Sequence, residues 1–221
     1  MKKIIITIDG PAGAGKSTVS KLLAEKLNYI YIDTGALYRA CALYIQKNQC
    51  DIQNEDQIKI ILSGLNLCFK KENNVLKLYN NNEDISGLIR KPEISMIASK
   101  CSSKKIVREY LLNVQRELAK NKAVVFEGRD MGTVVFPEAK LKFFLFADHK
   151  IRAQRRYNEL IEKSNNISLE KVSNDMKKRD DDDSNRKLAP LKPAHDAINI
   201  DSTEKTVEQV VDLMIKYFNK V

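Results

Sequence analysis

An α/β fold, with a parallel sheet covered on both faces by helices, is what this sequence of 221 residues predicts. Two observations carry the prediction. Short apolar, β-branched runs recur along the chain, and segments of helical periodicity alternate with them. That alternation is the pattern of strands buried on both faces and joined by helical crossovers. A glycine-rich turn between the first strand and the first helix adds a third, local sign.

The elements follow in order. KIIITI (3–8) is the first predicted strand, and it runs through GPAGAGKS (10–17) into a helix over 16–27. YIYI (29–32) is the second strand, followed by a helix over 35–48. Residues 63–89 break the rhythm. LNLCFK and VLKLY read as short strands around a turn at Glu72-Asn73-Asn74, which predicts a small antiparallel insertion. Helical spacing returns over 104–120, then come the strands AVVF (123–126) and KFFLF (142–146). Helices over 150–163 and 168–179 follow, then a strand AINI (197–200) and a last helix over 203–219. Residues 180–196 are charged and then proline-spaced (APLKPAHD), the composition of a mobile segment.

Composition limits the function classes. A content of 43% hydrophobic and 30% charged residues describes one globular domain. No apolar run approaches the roughly 18 residues that cross a bilayer. The N-terminal MKKIIITIDGPAG imitates a signal peptide until Asp9 breaks it, so a cytoplasmic protein is expected. Cys41, Cys50, Cys68 and Cys101 form no CxxC pair, and His149 and His195 lie far from them in sequence, which argues against zinc and for reduced, mostly buried thiols. The formal charge of +9 admits nucleic acid, an anionic membrane or phosphate-rich ligands. Aromatic content of 7% with no Trp, and no aromatic-basic motif, disfavours nucleic acid.

GPAGAGKS matches G-x-x-x-x-G-K-S/T between a predicted strand and a predicted helix, the context that a P-loop requires. Gly10, Gly13 and Gly15 let successive backbone N–H groups converge on a phosphate, and the helix N-terminus adds partial positive charge. Lys16 reaches the β and γ phosphates, and the Ser17 hydroxyl is the candidate Mg²⁺ ligand. The nucleotide-binding set is therefore Gly10, Pro11, Ala12, Gly13, Ala14, Gly15, Lys16, Ser17 and Thr18. A GTPase would carry N/T-K-x-D, but Asn121-Lys122-Ala123-Val124 lacks the aspartate, and Asp84-Ile85-Ser86-Gly87 is a weak D-x-x-G inside the insertion. A small kinase remains.

A kinase needs an acceptor site at the strand ends, where open sheets bind ligands. YIDTGALYR (31–39) places Asp33, Thr34 and Arg39 there, and VVFEGRDMGTVVFP (124–137) places Arg129 and Asp130. Taken singly, either pair reads equally well as a surface ion pair; together with Lys16 they suit a second phosphate. RDDDDSNR (179–186), read alone, is a solvated charge run. Its spacing fails as a calcium loop, which wants alternate ligands, a glycine and a later glutamate.

GPAGAGKS, DTGALYR, SGLIRKPEIS, VRE, EGRDMGTVVFP, RDDDDSNR and APLKPAHDA, in this order and spacing, resemble bacterial cytidylate kinases over essentially the whole chain. The resemblance implies a single nucleoside monophosphate kinase domain with a P-loop NTPase-like core (1–62, 104–150 and 197–221), a monophosphate-binding insertion about 63–103 and a mobile lid about 151–196. It implies transfer of the γ-phosphoryl of ATP to CMP or dCMP with Mg²⁺. It places Thr34, Arg39, Arg129 and Arg186 on acceptor or transferring phosphates, Ser99, Arg108 and Asp130 on cytosine, and Arg179 and Asp183 on the pentose, with Asp33 beside the acceptor. Lys16, Arg39, Arg129, Arg179 and Arg186 are the expected catalytic set. Arg152, Arg155 and Arg156 share a helix face and read either as a further phosphate approach or as a solvated basic face. A monomer free of nucleic acid and membrane is expected. Two departures stand out: Asp182 and Ser184 occupy places where the family lid commonly carries arginine, and Glu127 stands where aspartate is usual. The competing readings are a kinase for UMP or another small molecule, a nucleic-acid-binding protein and a P-loop regulator without turnover.

Overall fold

The computed structural model describes residues 4–72, 75–120, 123–161 and 167–221. The turn expected at Asn73-Asn74, the pair Asn121-Lys122 and the end of the helix expected over 150–163 lie outside the described residues. In chain order the elements are β1 (Ile5–Asp9), α1 (Lys16–Leu27), β2 (Ile30–Asp33), α2 (Thr34–Lys47) and α3 (Glu55–Ser63). Next come β3 (Leu67–Glu72), β4 (Val75–Asn80), β5 (Glu83–Asp84), a 3-10 turn at Leu88–Arg90, α4 (Pro92–Ser102) and α5 (Lys105–Ala119). The chain continues through β6 (Val124–Glu127), a π-helical turn (Met131–Val135), β7 (Leu141–Phe146), α6 (His149–Ile161), α7 (Leu169–Asn185), β8 (Ile198–Asp201) and α8 (Val207–Phe218).

Two compact units result, Met1–Ile32 with Asn121–Val221, and Asp33–Lys120. The first carries a five-stranded sheet in the order β2-β6-β1-β7-β8. β1 pairs in parallel with β6 (Ile6 with Val125) and β7 (Ile8 with Phe143), and β7 pairs in parallel with β8 (Phe143 with Ile198). With β1 central, its C-terminal end is flanked by the ends of β6 and β7, the crevice where open sheets bind ligands. Ile6, Ile8, Phe143, Leu145 and Ile200 of the strands meet Val19 and Leu23 of α1 and Val210, Val211 and Met214 of α8 in one core. The Thr206–Gln209 capping box starts α8.

The second unit packs α2 against α4 and α5 around Leu37, Ala40, Cys41, Ile94, Leu111 and their neighbours. The predicted insertion is present as a three-stranded antiparallel sheet, β3-β4-β5, with Leu67 opposite Asn80 and Tyr79 opposite Asp84. Leu78 and the adjoining Ile85 enter the core. Cys41 and Cys101 are buried, whereas Cys50 and Cys68 are half-buried. Burial pushes the Cys101 thiol up to about 12 and the Cys41 thiol higher still, so both are inert thiols at neutral pH.

Three helical features differ from the sequence reading. α3 and α4 were not expected, and α7 continues to Asn185, past the predicted end at 179. The aspartate run is therefore helical. Asp180 is half-buried and Asp183 buried, three residues apart on one face, while Asp181 and Asp182 are exposed.

Candidate active site

Within the first unit, the strand β1 delivers the chain into the glycine loop. A Cβ at Gly10 would lie 1.9 Å from the Leu145 carbonyl oxygen, and φ there is +149°. At Gly13 (φ +72°) a Cβ would meet the Arg152 carbonyl oxygen at 2.8 Å. Only glycine fits these two positions. Gly15, left-handed at φ 85°, caps α1, so the unpaired N–H groups of that helix open at the loop.

Lys16 is buried, and its Nζ donates to the Pro11 carbonyl at 2.6 Å. Burial pulls its pKa down to about 7, helped by the charges of Arg129 and Arg179 and opposed by those of Glu127 and Asp9. Ser17 and Thr18 are exposed on the first turn of α1. The Ser17 hydroxyl donates to Glu127 Oε1 (2.7 Å), and the Tyr31 hydroxyl donates to Glu127 Oε2 (2.6 Å). Glu127 thus stands at the end of β6 as an oxygen donor directly beside the P-loop serine.

Arg129 and Asp130 follow immediately. Arg129 Nε donates to Asp183 Oδ2 at 3.0 Å, so the turn after β6 is joined to α7. Asp183 and Asp130 both approach Arg186, each at 3.5 Å. Arg186 also donates from Nε to the Ala189 carbonyl (2.7 Å). Arg179 is half-buried on α7 and near enough to depress the Lys16 pKa. The structure therefore brings Lys16, Arg129, Asp130, Arg179, Asp183 and Arg186 together in one unit.

The three arginines of α6 part company. Arg152 is buried; it donates to the Ala147 and Ala12 carbonyls, each at 2.9 Å, and pairs with Asp180. Its guanidinium ties the P-loop backbone to α7. Arg155 donates to the Ser202 carbonyl (2.7 Å), fixing the turn after β8. Arg156 pairs with Glu159 near the surface.

In the second unit, Asp33 caps α2 by accepting from Ala36 N (3.2 Å) and holds Arg39 at 2.7 Å. A Cβ at Gly35 would press to 3.0 Å on both partners, so the glycine makes room for that pair. Thr34 is buried at the first position of α2. Ser99 is half-buried on α4, and Arg108 of α5 donates to the Ser102 carbonyl (3.2 Å) and lies over the Tyr38 ring. Asp33, Thr34, Arg39, Ser99 and Arg108 thus belong to a different unit from the Lys16 cluster.

Sequence reasoning passed over two residues that the geometry makes prominent, Asp9 and Tyr31. Both Asp9 oxygens accept backbone N–H groups, from Met131 (2.9 Å) and Gly132 (2.8 Å). Burial lifts its pKa to about 6 against the lowering effect of those hydrogen bonds. The available sign was a charged residue closing an otherwise apolar strand.

A family model described as cytidylate kinase matches residues 6–220. The chain belongs to the cytidylate kinase family. It is 46% identical over 221 residues to a cytidylate kinase of Fusobacterium nucleatum, covering 100% of both chains. It is 47% identical to a cytidylate kinase of Caldicellulosiruptor bescii, covering 100% of this chain and 98% of the other. Among solved structures, a gluconokinase from Sinorhizobium meliloti superposes with a TM-score of 0.50 at 13% identity, covering 99% of this chain and 93% of the other, a likeness of fold alone. The charged side chains gathered near the glycine loop are cations and their counter-ions. Among the described residues no group of three or more His, Cys, Asp or Glu could hold a metal by itself. No described helix is long and apolar enough to cross a membrane.

Proposed function

We propose that the chain transfers the γ-phosphoryl of ATP to CMP, and to dCMP, giving ADP and the nucleoside diphosphate. Family membership carries the reaction class, and the observation that supports it in the site is that Arg129 and Arg179 gather around Lys16 of the glycine loop, with Arg186 joined to Arg129 through Asp183. The acceptor is itself a phosphate with a second pKa of about 6, so its oxygen is already anionic at neutral pH. No general base is needed. The remaining difficulty is to align two polyanions, and fixed guanidinium groups with bidentate geometry answer it.

Each residue takes a part in this reading. Gly10, Pro11, Ala12, Gly13, Ala14, Gly15, Ser17 and Thr18 cradle the donor, and Lys16 neutralises its terminal phosphates. Thr34, Arg39 and Arg129 hold the acceptor phosphate with Asp33 directing Arg39, while Arg179 and Arg186 stabilise the charge that develops on transfer. Asp130 accepts from the exocyclic amine of cytosine and repels the carbonyl that uracil offers instead; Arg108 and Ser99 serve the ring acceptors. Asp183 keeps Arg129 and Arg186 aimed, and its remaining lone pairs suit a pentose hydroxyl. Residues 63–103 act as the monophosphate-binding insertion and 151–196 as the lid that excludes water from the core elements 1–62, 104–150 and 197–221.

Mg²⁺ fits the donors present. Ser17 and Glu127 offer only oxygen and already touch, which suits a hard cation that keeps phosphate and water in its remaining positions. When bound it would supply charge neutralisation between the phosphates. A cytoplasmic monomer is the form in which we expect this enzyme to act.

The test is ADP release from Mg²⁺-ATP with CMP, dCMP, UMP, AMP and TMP supplied in turn. CMP and dCMP should exceed the others. ADP formed at the same rate with no acceptor would refute transfer, and a clear preference for UMP would replace the acceptor.

A further inference from the structure

We propose that Asp9, the last residue of β1, is a positioning residue for acceptor recognition: it grips the backbone at Met131 and Gly132 and so fixes the turn that presents Arg129 and Asp130. This rests on the reading that Arg129 and Asp130 meet the acceptor.

The β1–β6 ladder closes with Gly128 N donating to the Ile8 carbonyl at 3.1 Å. Beyond that point the two backbones separate, because the chain after β6 must turn aside. The Asp9 carboxylate extends the ladder with its side chain, one oxygen accepting from Met131 and the other from Gly132. At the other side of the same turn, the Asp130 carbonyl accepts from both Val134 (2.9 Å) and Val135 (3.2 Å), which winds Met131–Val135 as a π-helical turn. Such turns are uncommon and depend on their surroundings. Asp130 is thereby held between a carbonyl fixed by its own turn and a next residue fixed by Asp9.

Two further features show that the grip is built for closeness. A Cβ at Gly132 would lie 3.1 Å from Thr7 Oγ1, 3.2 Å from Lys142 Cδ and 3.4 Å from Asp9 Oδ2. The seat is shaped for a residue without a side chain. Asp9 itself is only 4% exposed, and a buried carboxylate is costly unless hydrogen bonds compensate it. Two strong acceptors side by side are what a carboxylate offers and an amide does not, since an asparagine would turn a donor towards one of the two N–H groups. The desolvation cost is borne at a place where the reward is the exact bearing of the next two side chains.

The experiment compares Asp9→Asn, Gly132→Ala and Asp130→Ala by steady-state kinetics with CMP and UMP at saturating ATP, with thermal unfolding recorded for each. Gly132→Ala leaves the Asp9 charge beside Lys16 in place and decides the matter if Asp9→Asn does not fold. We expect Asp9→Asn and Gly132→Ala each to lower the CMP-to-UMP ratio of kcat/KM by about five- to tenfold, in the direction of Asp130→Ala, the range of one impaired buried hydrogen bond. A purely structural role would lower the unfolding temperature and leave that ratio alone. If Asp130→Ala moves the ratio and the other two do not, Asp9 does not position the acceptor turn. If Asp130→Ala itself leaves the ratio unchanged, the reading of Asp130 fails and the role of Asp9 falls with it.

Discussion

Binding of ATP should be accompanied by uptake of close to one proton at pH 8, and Lys16 is the group that takes it. Its Nζ is buried, has one hydrogen-bond acceptor in the Pro11 carbonyl, and shares its surroundings with Arg129 and Arg179; the lysine pKa consequently falls to about 7. At pH 8 roughly nine molecules in ten then carry Lys16 neutral. A polyphosphate beside the amine restores the ordinary preference for the charged form. At pH 8 the donor contributes little of its own, because a terminal phosphate with a pKa near 6 is already ionised. The expected uptake is therefore about 0.9 proton at pH 8. Calorimetric titration in two buffers of different ionisation enthalpy measures it directly. Lys16→Arg supplies the control, since guanidinium stays protonated and should show no uptake. Buffer-independent heats at pH 8, or equal uptake in Lys16→Arg, would refute the reasoning. The sign for folding follows from the same shift. Between about pH 7 and 10.5 the unfolded chain holds a proton that the folded one has lost, so stability without ligand rises with pH across that window.

Asp183→Ala should destabilise the fold by about 2–4 kcal/mol, read as a lower urea midpoint, because it strips Arg129 and Arg186 of a buried counter-ion while Asp130 still faces Arg186. A loss below about 0.5 kcal/mol would show that the ion pairs are surface-like. Gly10→Ala and Gly15→Ala separate crowding from conformation: the first drives a Cβ into Leu145 and should abolish folded protein, while the second enters open space and should cost only about 1–2 kcal/mol for its left-handed φ. Equal stability of the two would contradict the packing of the loop. Thr206→Ala removes the capping box of α8 and should cost about 1 kcal/mol in urea unfolding with kcat unchanged; a fall in kcat would connect that distant helix to the site.

Where burial and local chemistry agreed, the sequence was readable. β1, the glycine loop and α1 are declared by an apolar β-branched run, three glycines and a lysine, and the helix predicted over 16–27 occupies Lys16–Leu27. α3 and α4 carried weaker signs: Asn54 before two acidic residues, and Pro92 opening a run with Ile94, Ala98 and Cys101 at helical spacing. Each is short, and each sits in a region whose strands broke the alternating rhythm. The aspartate run was misread for a different reason. Four like charges with poor helix propensity argue against a helix when taken by themselves. Their partners, Arg152 for Asp180 and Arg129 and Arg186 for Asp183, lie far away in sequence or beyond the run, and only the fold pairs them. In the same way Arg152, Arg155 and Arg156 are indistinguishable as residues of one helical face, yet one supports the P-loop, one fixes a turn and one is at the surface.

The run also answers a problem that any site for two polyanions creates. Cations gathered for phosphate must first fold near one another without it, and each depresses its neighbours' charge, as Lys16 shows. Counter-ions from the chain itself relieve this. Asp180 pairs with Arg152 and also accepts from the Ala12 N–H of the loop (3.4 Å), and Asp183 pairs with Arg129 and Arg186. Asp182 and Ser184, where the resemblance leads one to expect arginines, are exposed on other faces of α7 and take no part in those pairs. Polar or acidic residues at these two positions leave the inner pairs intact. The four aspartates are two kinds of residue: two that organise the arginines, and two that face water.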